Sequence, residues 1–538
     1  MQPALSWRLA RPRGQLGNLV FWLANVRAYS LGLVLLTTVG FALRLALLDA
    51  YPLREDEAIY GYWARSVIAD PFFFSVWPDK PPLFIWLLTG TFALVGPSEA
   101  SARLVSIFAA TLTIPVVALG ARRLWHSRGA ALLAALLVTL SPFAISFAPT
   151  AYTDSLLTLL GTGAVVAALG KRGWVAGLLL GAACMTKQQG LLYAPLVVGL
   201  LCVPHVTRKH KWAELGYALL GMASVVLPIV WWDSQRWATA PSPWALAQET
   251  YAPLAWVAPQ DWLARWDAWR AILWYLGGSW TVWTLLLVAL GVAAVSGWRR
   301  PAHLLLWGWA ISFVLLHGVT TVQPWDRYLL PLAPWLALMA SGPLARLFSP
   351  SLAMWRLPEW GRGLIVILVV FALVEAVPVG VAAARGQMPI GADHGDYAGL
   401  TEAVAWVEQR CDGECPAILY HQVLGWHFRF YLYDALQATG DNPPRFDLRW
   451  FPSAAYLADN AIKAPYPPKY LIVPEWATPR DLALHLAMAG LALETQLQVD
   501  RFTIFEITQR PRPLCEWCKS TLPATRRPLG LPFAPVAP

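Results

Sequence analysis

The chain has 538 residues, 57% of them hydrophobic and 14% charged, with a mean hydropathy of +0.48 and a formal net charge of +9. A soluble protein of this length carries about 25% charged residues, so the composition excludes an ordinary soluble enzyme and marks a polytopic membrane protein. The basic excess does not point to nucleic acid: in the membrane half most Lys and Arg sit in short loops between apolar runs, where the positive-inside bias places them.

Arg8, Arg11, Arg13 and Arg27 precede the first apolar run and read as a cytoplasmic flank. No small-residue cleavage site follows a short apolar core, so no cleaved signal peptide is expected. Apolar segments then lie at 29–49, 102–121, 129–150, 155–170, 173–186, 190–204, 214–232, 271–297, 302–320, 328–345 and 363–383. Measured against the roughly 20 residues that cross the hydrocarbon core, they predict about eleven transmembrane helices, with 173–186 and 190–204 short for full spans. The 31 tryptophans suit the membrane–water boundary.

The first connection, 50–101, carries REDEAIYGYWAR, in which Glu55, Asp56 and Glu57 stand together. It also carries KPPLFIWLLTGTFALVG, read as a re-entrant or interfacial helix, because as a span it would invert every later loop. The remaining alternation puts Arg122–Arg128, Lys171–Arg172, Arg208–Lys211, Trp298–Arg300 and the Arg346–Arg362 connection inside, and every one is basic. Outside fall the 50–101 loop, the Pro149–Asp154 corner, the Lys187 break, the 233–270 loop and the Thr320–Arg327 corner. In the 233–270 loop Trp262, Trp266 and Trp269 recur at helical spacing and predict a helix lying at the interface.

From about residue 385 the composition becomes that of a soluble domain. AILYHQ and YLIVPE read as buried strands, LTEAVAWVEQR and PRDLALHLAMAG as helices. The expected organisation is a membrane domain, 1–384, followed by a soluble α/β domain, 385–538, on the extracytoplasmic side. Cys411, Cys415, Cys515 and Cys518 fit disulfides in such a compartment, with a zinc site as the other reading of their spacing. Cys184 and Cys202 lie in apolar runs and read as packing residues.

Asp56, Glu57, Asp79, Lys80, Asp154, Lys187 and Arg327 all fall in the outer set, although the topology rests on the inner basic loops alone. Each has an ordinary alternative: first-turn acids for Asp56 and Glu57, a helix cap for Asp154, snorkelling for Lys80 and Lys187, a membrane anchor for Arg327. Their joint occurrence points to a charged cavity at the outer boundary. A carboxylate there can act as general base toward a hydroxyl nucleophile, and Lys and Arg can hold a phosphate and stabilise it as it leaves. A sugar donor linked to a lipid phosphate needs that pairing. No P-loop, dinucleotide-binding or G-x-S-x-G signature occurs in the chain.

Asp56-Glu57-x-x-Tyr60 after the first span resembles the first outer loop of the GT-C glycosyltransferases, the protein O-mannosyltransferases and the bacterial lipid A aminoarabinose transferase in particular. Asp79-Lys80-Pro81-Pro82, Tyr152-Thr153-Asp154, Thr186-Lys187 and Arg327-Tyr328-Leu329-Leu330-Pro331 extend the resemblance in the family's order, over 30 to about 340. The resemblance implies a GT-C-like fold and inverting transfer of a sugar from a polyprenyl-phosphate donor to a lipid, glycan or protein acceptor. The reaction would take place at the outer face of the cytoplasmic membrane, in which this multi-pass protein is expected to sit. By position it makes Asp56 the base, with Glu57 auxiliary and Asp154 a second acid. Lys80, Arg327 and Lys187 become phosphate ligands, and Tyr60, Asp79 and Tyr328 positioning residues. Asp79 stands where the aminoarabinose branch has Glu, and the 233–270 loop has no histidines to build that branch's metal site; a divalent metal ion is the one cofactor left open. The β-trefoil insert of the mannosyltransferase branch is absent. A transporter or lipid-linked sugar flippase using the same charges is the rival reading, weakened by the lack of an internal repeat.

Overall fold

A backbone in hydrocarbon has no water to bond, so long apolar runs must close their hydrogen bonds internally as helices. In the structure, a computed structural model, residues 15–70, 78–203, 208–237, 240–251, 255–347, 359–391, 395–410, 416–438, 443–464 and 468–509 are described. Arg8, Arg11, Arg13 and the four C-terminal-domain cysteines lie outside them, as do parts of the 50–101, 233–270 and Arg346–Arg362 connections.

The helices of the membrane unit are α1 (Gln15–Leu45), α2 (Glu55–Ala69), α3 (Leu83–Val95), α4 (Glu99–Trp125), α5 (Arg128–Thr139), α6 (Pro142–Ser146), α7 (Thr153–Leu169) and α8 (Gly173–Thr186). They continue with α9 (Ala194–Cys202), α10 (Arg208–Arg236), α11 (Pro243–Tyr251), α12 (Trp262–Leu273), α13 (Trp280–Gly297), α14 (Pro301–Val319), α15 (Leu332–Leu347) and α16 (Glu359–Ala384). All eleven predicted segments fall mainly on helices, with 129–150 broken after Thr139 and again beyond Ser146, and 271–297 broken between Leu276 and Trp280. Among the described residues, seven helices are long and apolar enough to cross a membrane. The other four predicted segments fall on shorter apolar helices, among them α8 and the pair formed by the 3-10 turn Gln188–Tyr193 with α9. The KPPLFIWLLTGTFALVG segment folds as α3, another of these shorter helices.

Several local signals set these ends. Ser98 Oγ accepts from Ser101 N at 3.1 Å and Ser101 Oγ accepts from Ser98 N at 2.8 Å, a reciprocal cap that starts α4. Gly173, Gly177 and Gly181 give α8 a small-residue stripe along which α10 lies. A Cβ at Gly177 would sit 1.8 Å from the Ala218 carbonyl oxygen, so only glycine permits this approach. The stripe fixes α8 and thereby the position of Lys187 at its C-terminal end.

The helix expected at the interface, α12, turns part of its tryptophan stripe inward. Trp269 is buried with its ring 5.4 Å from His317, and Trp266 covers Gly318, where a Cβ would meet the indole at 2.3 Å. Trp262 is exposed. The glycine on α14 opens a seat for an indole that hydropathy alone assigns to the boundary.

The second unit comprises residues 399–425 and 434–538, whereas 426–433 belong with the membrane unit. Its elements are α17 (Leu400–Arg410), β1 (Ala417–His421), α18 (Gly425–Tyr431, crossing between the units), β2 (Phe446–Trp450), α19 (Ala454–Lys463), β3 (Lys469–Pro474), α20 (Leu482–Met488), β4 (Leu491–Val499) and β5 (Phe502–Gln509). The sheet order is β2-β1-β3-β5-β4, with β1 parallel to both β2 and β3 and with β5 antiparallel to β3 and β4. Every residue of β1 is buried, as expected of a central strand covered on both faces. AILYHQ, YLIVPE and the two predicted helices fall on β1, β3, α17 and α20.

Candidate active site

Each predicted site residue except Tyr60, which lies inside α2, sits at or beside the end of a helix, and all of these ends lie at one end of the bundle. Asp56 and Glu57 occupy the first turn of α2, Asp79 and Lys80 precede α3, and Asp154 occupies the first turn of α7. Lys187 is the extended residue that ends α8, and Arg327 lies in a 3-10 turn, Asp326–Leu329, ahead of α15. Acids in first turns face the positive end of a helix dipole.

Three acid–cation pairs result. Arg327 Nη1 lies 2.7 Å from Asp56 Oδ2, Lys187 Nζ 2.6 Å from Asp154 Oδ1, and Lys80 Nζ 2.6 Å from Asp79 Oδ2. Aromatic rings join them: Lys187 Nζ is 4.4 Å from the centre of the Tyr328 ring, and the Arg327 guanidinium is 4.6 Å from that of Tyr152. Gln188 donates to the Asp79 carbonyl at 2.9 Å, tying the Lys187 break to the Lys80 loop. Burial of Tyr152 pushes its phenol above its usual range, so it stays neutral between charged neighbours.

Exposure separates the three acids. The Asp56 side chain is 36% exposed, Asp79 19% and Asp154 4%, so Asp56 is open to solvent while Asp154 is sealed beneath Lys187. Asp154 is therefore placed to hold the lysine. Tyr60 is buried, its ring 5.7 Å from Trp63 and 6.0 Å from Phe84, and packs α2 on α3.

Glu57 is placed differently from Asp56. Its Oε1 accepts from Ala151 N at 2.6 Å and from Arg103 Nε at 3.3 Å, and its Oε2 accepts from Arg54 N at 2.9 Å and Arg103 Nη2 at 3.4 Å. At 1% exposure, with both oxygens occupied, it locks the start of α2 to α4 and to the corner before Asp154. Arg103 adds bonds to the carbonyls of Leu48, Tyr51 and Pro52. Glu55 is exposed.

Sequence reasoning missed Arg103, Arg54, Asp326 and Gln188. Arg103 carried a weak signal, a lone arginine one turn into a strongly apolar helix. Among the described residues no three His, Cys, Asp or Glu come together in a way that could hold a metal ion. Asp79 is paired with Lys80 at 2.6 Å.

Residues 79–232 match the family described as dolichyl-phosphate-mannose-protein mannosyltransferase. The structure is similar to that of ArnT from Cupriavidus metallidurans bound to undecaprenyl phosphate, with a TM-score of 0.63 and 18% identity over 88% of this chain and 97% of that one. The chain has the GT-C glycosyltransferase fold. The apo form of the same ArnT is similar at a TM-score of 0.63 and 17% identity, over 90% of this chain and 98% of that one. The archaeal oligosaccharyltransferase AglB from Archaeoglobus fulgidus, in complex with an inhibitory peptide and a dolichol-phosphate, gives a TM-score of 0.54 and 12% identity over 91% of this chain and 75% of that one. No curated protein matches the sequence. Within this GT-C fold the family-matched segment supplies Asp79, Lys80, Asp154 and Lys187, while Asp56 and Arg327 flank it.

Proposed function

We propose that the protein transfers a sugar from a polyprenyl-phosphate carrier to a lipid, glycan or protein acceptor at the outer face of the cytoplasmic membrane. The observation that carries this reading is the Asp56–Arg327 pair, open to solvent and set beside two further acid–cation pairs at one end of an apolar bundle. The lipid phosphates bound to ArnT and AglB support a donor of this class.

The residues divide the work by charge. Arg327, Lys187 and Lys80 face the donor phosphate and stabilise the charge it gains as a leaving group. When the phosphate engages Arg327, Asp56 is released from its ion pair and accepts the proton of the acceptor hydroxyl. The acceptor oxygen bonds to the anomeric carbon from the face opposite the phosphate, the carbon–oxygen bond to phosphate breaks, and the configuration inverts. The products are the glycosylated acceptor and the polyprenyl phosphate. Asp154 keeps Lys187 in place, Asp79 does the same for Lys80, and Glu57 holds the helix that presents Asp56. Tyr60 and Tyr328 pack around these groups.

The test gives purified protein a radiolabelled polyprenyl-phosphate sugar with envelope extract as acceptor. Wild type transfers label, and Asp56→Asn loses at least about 100-fold, the usual worth of a general base. Full transfer by Asp56→Asn would overturn the mechanism. Movement of the lipid across reconstituted vesicles without covalent product would support the flippase reading instead.

A further inference from the structure

The acid-bearing helix α2 is held by chain that lies beyond the last membrane helix. Gly391 donates its N–H to Asp326 Oδ2 at 3.2 Å, and its carbonyl accepts from Arg54 Nη1 at 2.6 Å. Asp326 immediately precedes Arg327, and Arg54 stands two residues before Asp56. One residue's backbone thus bridges the chain neighbours of both members of the Asp56–Arg327 pair, with a spacing fixed by covalent geometry. The position demands glycine twice over. Its φ is +85°, and an added Cβ would lie 2.5 Å from the Ser146 carbonyl oxygen.

Residues 426–433 grip α2 along its length. Leu53 N, just ahead of the helix, donates to the Tyr431 hydroxyl at 2.9 Å. In the middle, the Phe430 ring lies on Gly61, where a Cβ would come within 2.7 Å of it, and Trp426 meets the rings of Tyr62 and Trp63. Near the far end, Arg65 Nη1 donates to the Phe430 carbonyl at 2.9 Å, and its guanidinium lies 4.5 Å from the centre of the Tyr433 ring.

We propose that Gly391 and residues 426–433 are positioning residues for transfer, holding Asp56 in register with Arg327 so that this C-terminal chain sets turnover while leaving donor binding alone. This rests on the transfer reading above. It adds that residues 426–433, which belong with the membrane unit, serve the chemistry.

The experiment uses the full chain in detergent with three substitutions, Gly391→Ala, Tyr431→Phe and Asp326→Ala, and Asp326→Asn as the conservative partner that keeps an acceptor for Gly391 N–H. In the radiolabel assay, below the unfolding temperature of each variant, kcat falls tenfold or more for Gly391→Ala and Asp326→Ala. It falls about threefold for Tyr431→Phe, and Asp326→Asn recovers most of the loss. KM for the polyprenyl-phosphate sugar stays within twofold throughout. Hydrogen exchange, which needs no activity, shows residues 53–60 exchanging at least tenfold faster in Tyr431→Phe with α4 unchanged. Wild-type kcat in Gly391→Ala and Tyr431→Phe, or unchanged exchange at 53–60, overturns the inference. Faster exchange at 53–60 in a protein whose wild type transfers no label supports the positioning contact and sinks the transfer reading.

Discussion

The two ends of the helical bundle use charge in opposite ways. At the end opposite the site, cations are taken up by helix termini. Lys171 donates to the carbonyls of Leu200 at 2.6 Å and Val203 at 3.1 Å, capping the end of α9, and Arg123 donates to the Val166 carbonyl near the end of α7. There Glu214 accepts from Gly173 N at 2.5 Å, at the start of α8. These are the pairings a helix dipole asks for: cations on terminal carbonyls, an anion on terminal N–H groups. At the site end Asp56, Asp79 and Asp154 each face a cation, side chain to side chain. Charge at one end finishes helices; at the other it forms acid–cation pairs between side chains.

Substitutions break or sharpen this contrast. The largest effect is expected for Lys187→Met, which strands Asp154 in a buried site. Removing one partner of a buried pair costs about 3–5 kcal/mol, seen as a large drop in unfolding temperature, and adding Asp154→Asn recovers the stability without recovering transfer. Glu57→Gln comes next. It weakens four bonds to one carboxylate, leaves Arg103 with its backbone carbonyls, and costs about 1–3 kcal/mol with loss of turnover. Lys171→Met, at the opposite end, costs about 1 kcal/mol from lost capping bonds and leaves transfer per folded molecule unchanged; a tenfold loss there would erase the distinction between the ends.

The smallest effect concerns pH and the segment that grips α2. Burial pushes His427 down to about 3 from its ordinary value of 6.5. The unfolded chain therefore binds a proton that the folded chain refuses, so the stability of the docked segment is complete above about pH 6.5 and declines as pH falls toward 3. Between pH 7 and pH 6 the loss is less than about 1 kcal/mol. Thermal unfolding of His427→Phe in this interval shows a shallower pH dependence than wild type.

Much of the site was legible because ionisable residues at the edges of apolar runs have few ordinary explanations. Asp56, Asp79, Lys80, Asp154, Lys187 and Arg327 all stood out that way, and the basic inner loops put them on one side. Arg103 was only weakly legible, as a lone arginine early in an apolar helix, since its partner Glu57 lies on another helix. Glu57 and Asp56 were equally acidic on paper; only burial and four donors turned one into a lock and left the other open. Gly391 and GWHFRFY gave no sign of their attachment to α2, because a positive φ and an aromatic seat on Gly61 are facts of packing. The composition change near residue 385 marked a separate sheet domain without showing that 426–433 belong with the membrane unit.

The sequence by itself determined that the chain is a helical membrane protein with a sheet domain behind it, because hydropathy and strand patterning are local and each segment's backbone must satisfy itself. It also determined which charges are out of place, because the cost of a charge near hydrocarbon is local too. Which charges meet was decided by tertiary structure alone. Pairing depends on where helix ends converge, and that follows from long-range packing such as the glycine stripe of α8 on α10 and the bridge of Gly391 between Arg54 and Asp326.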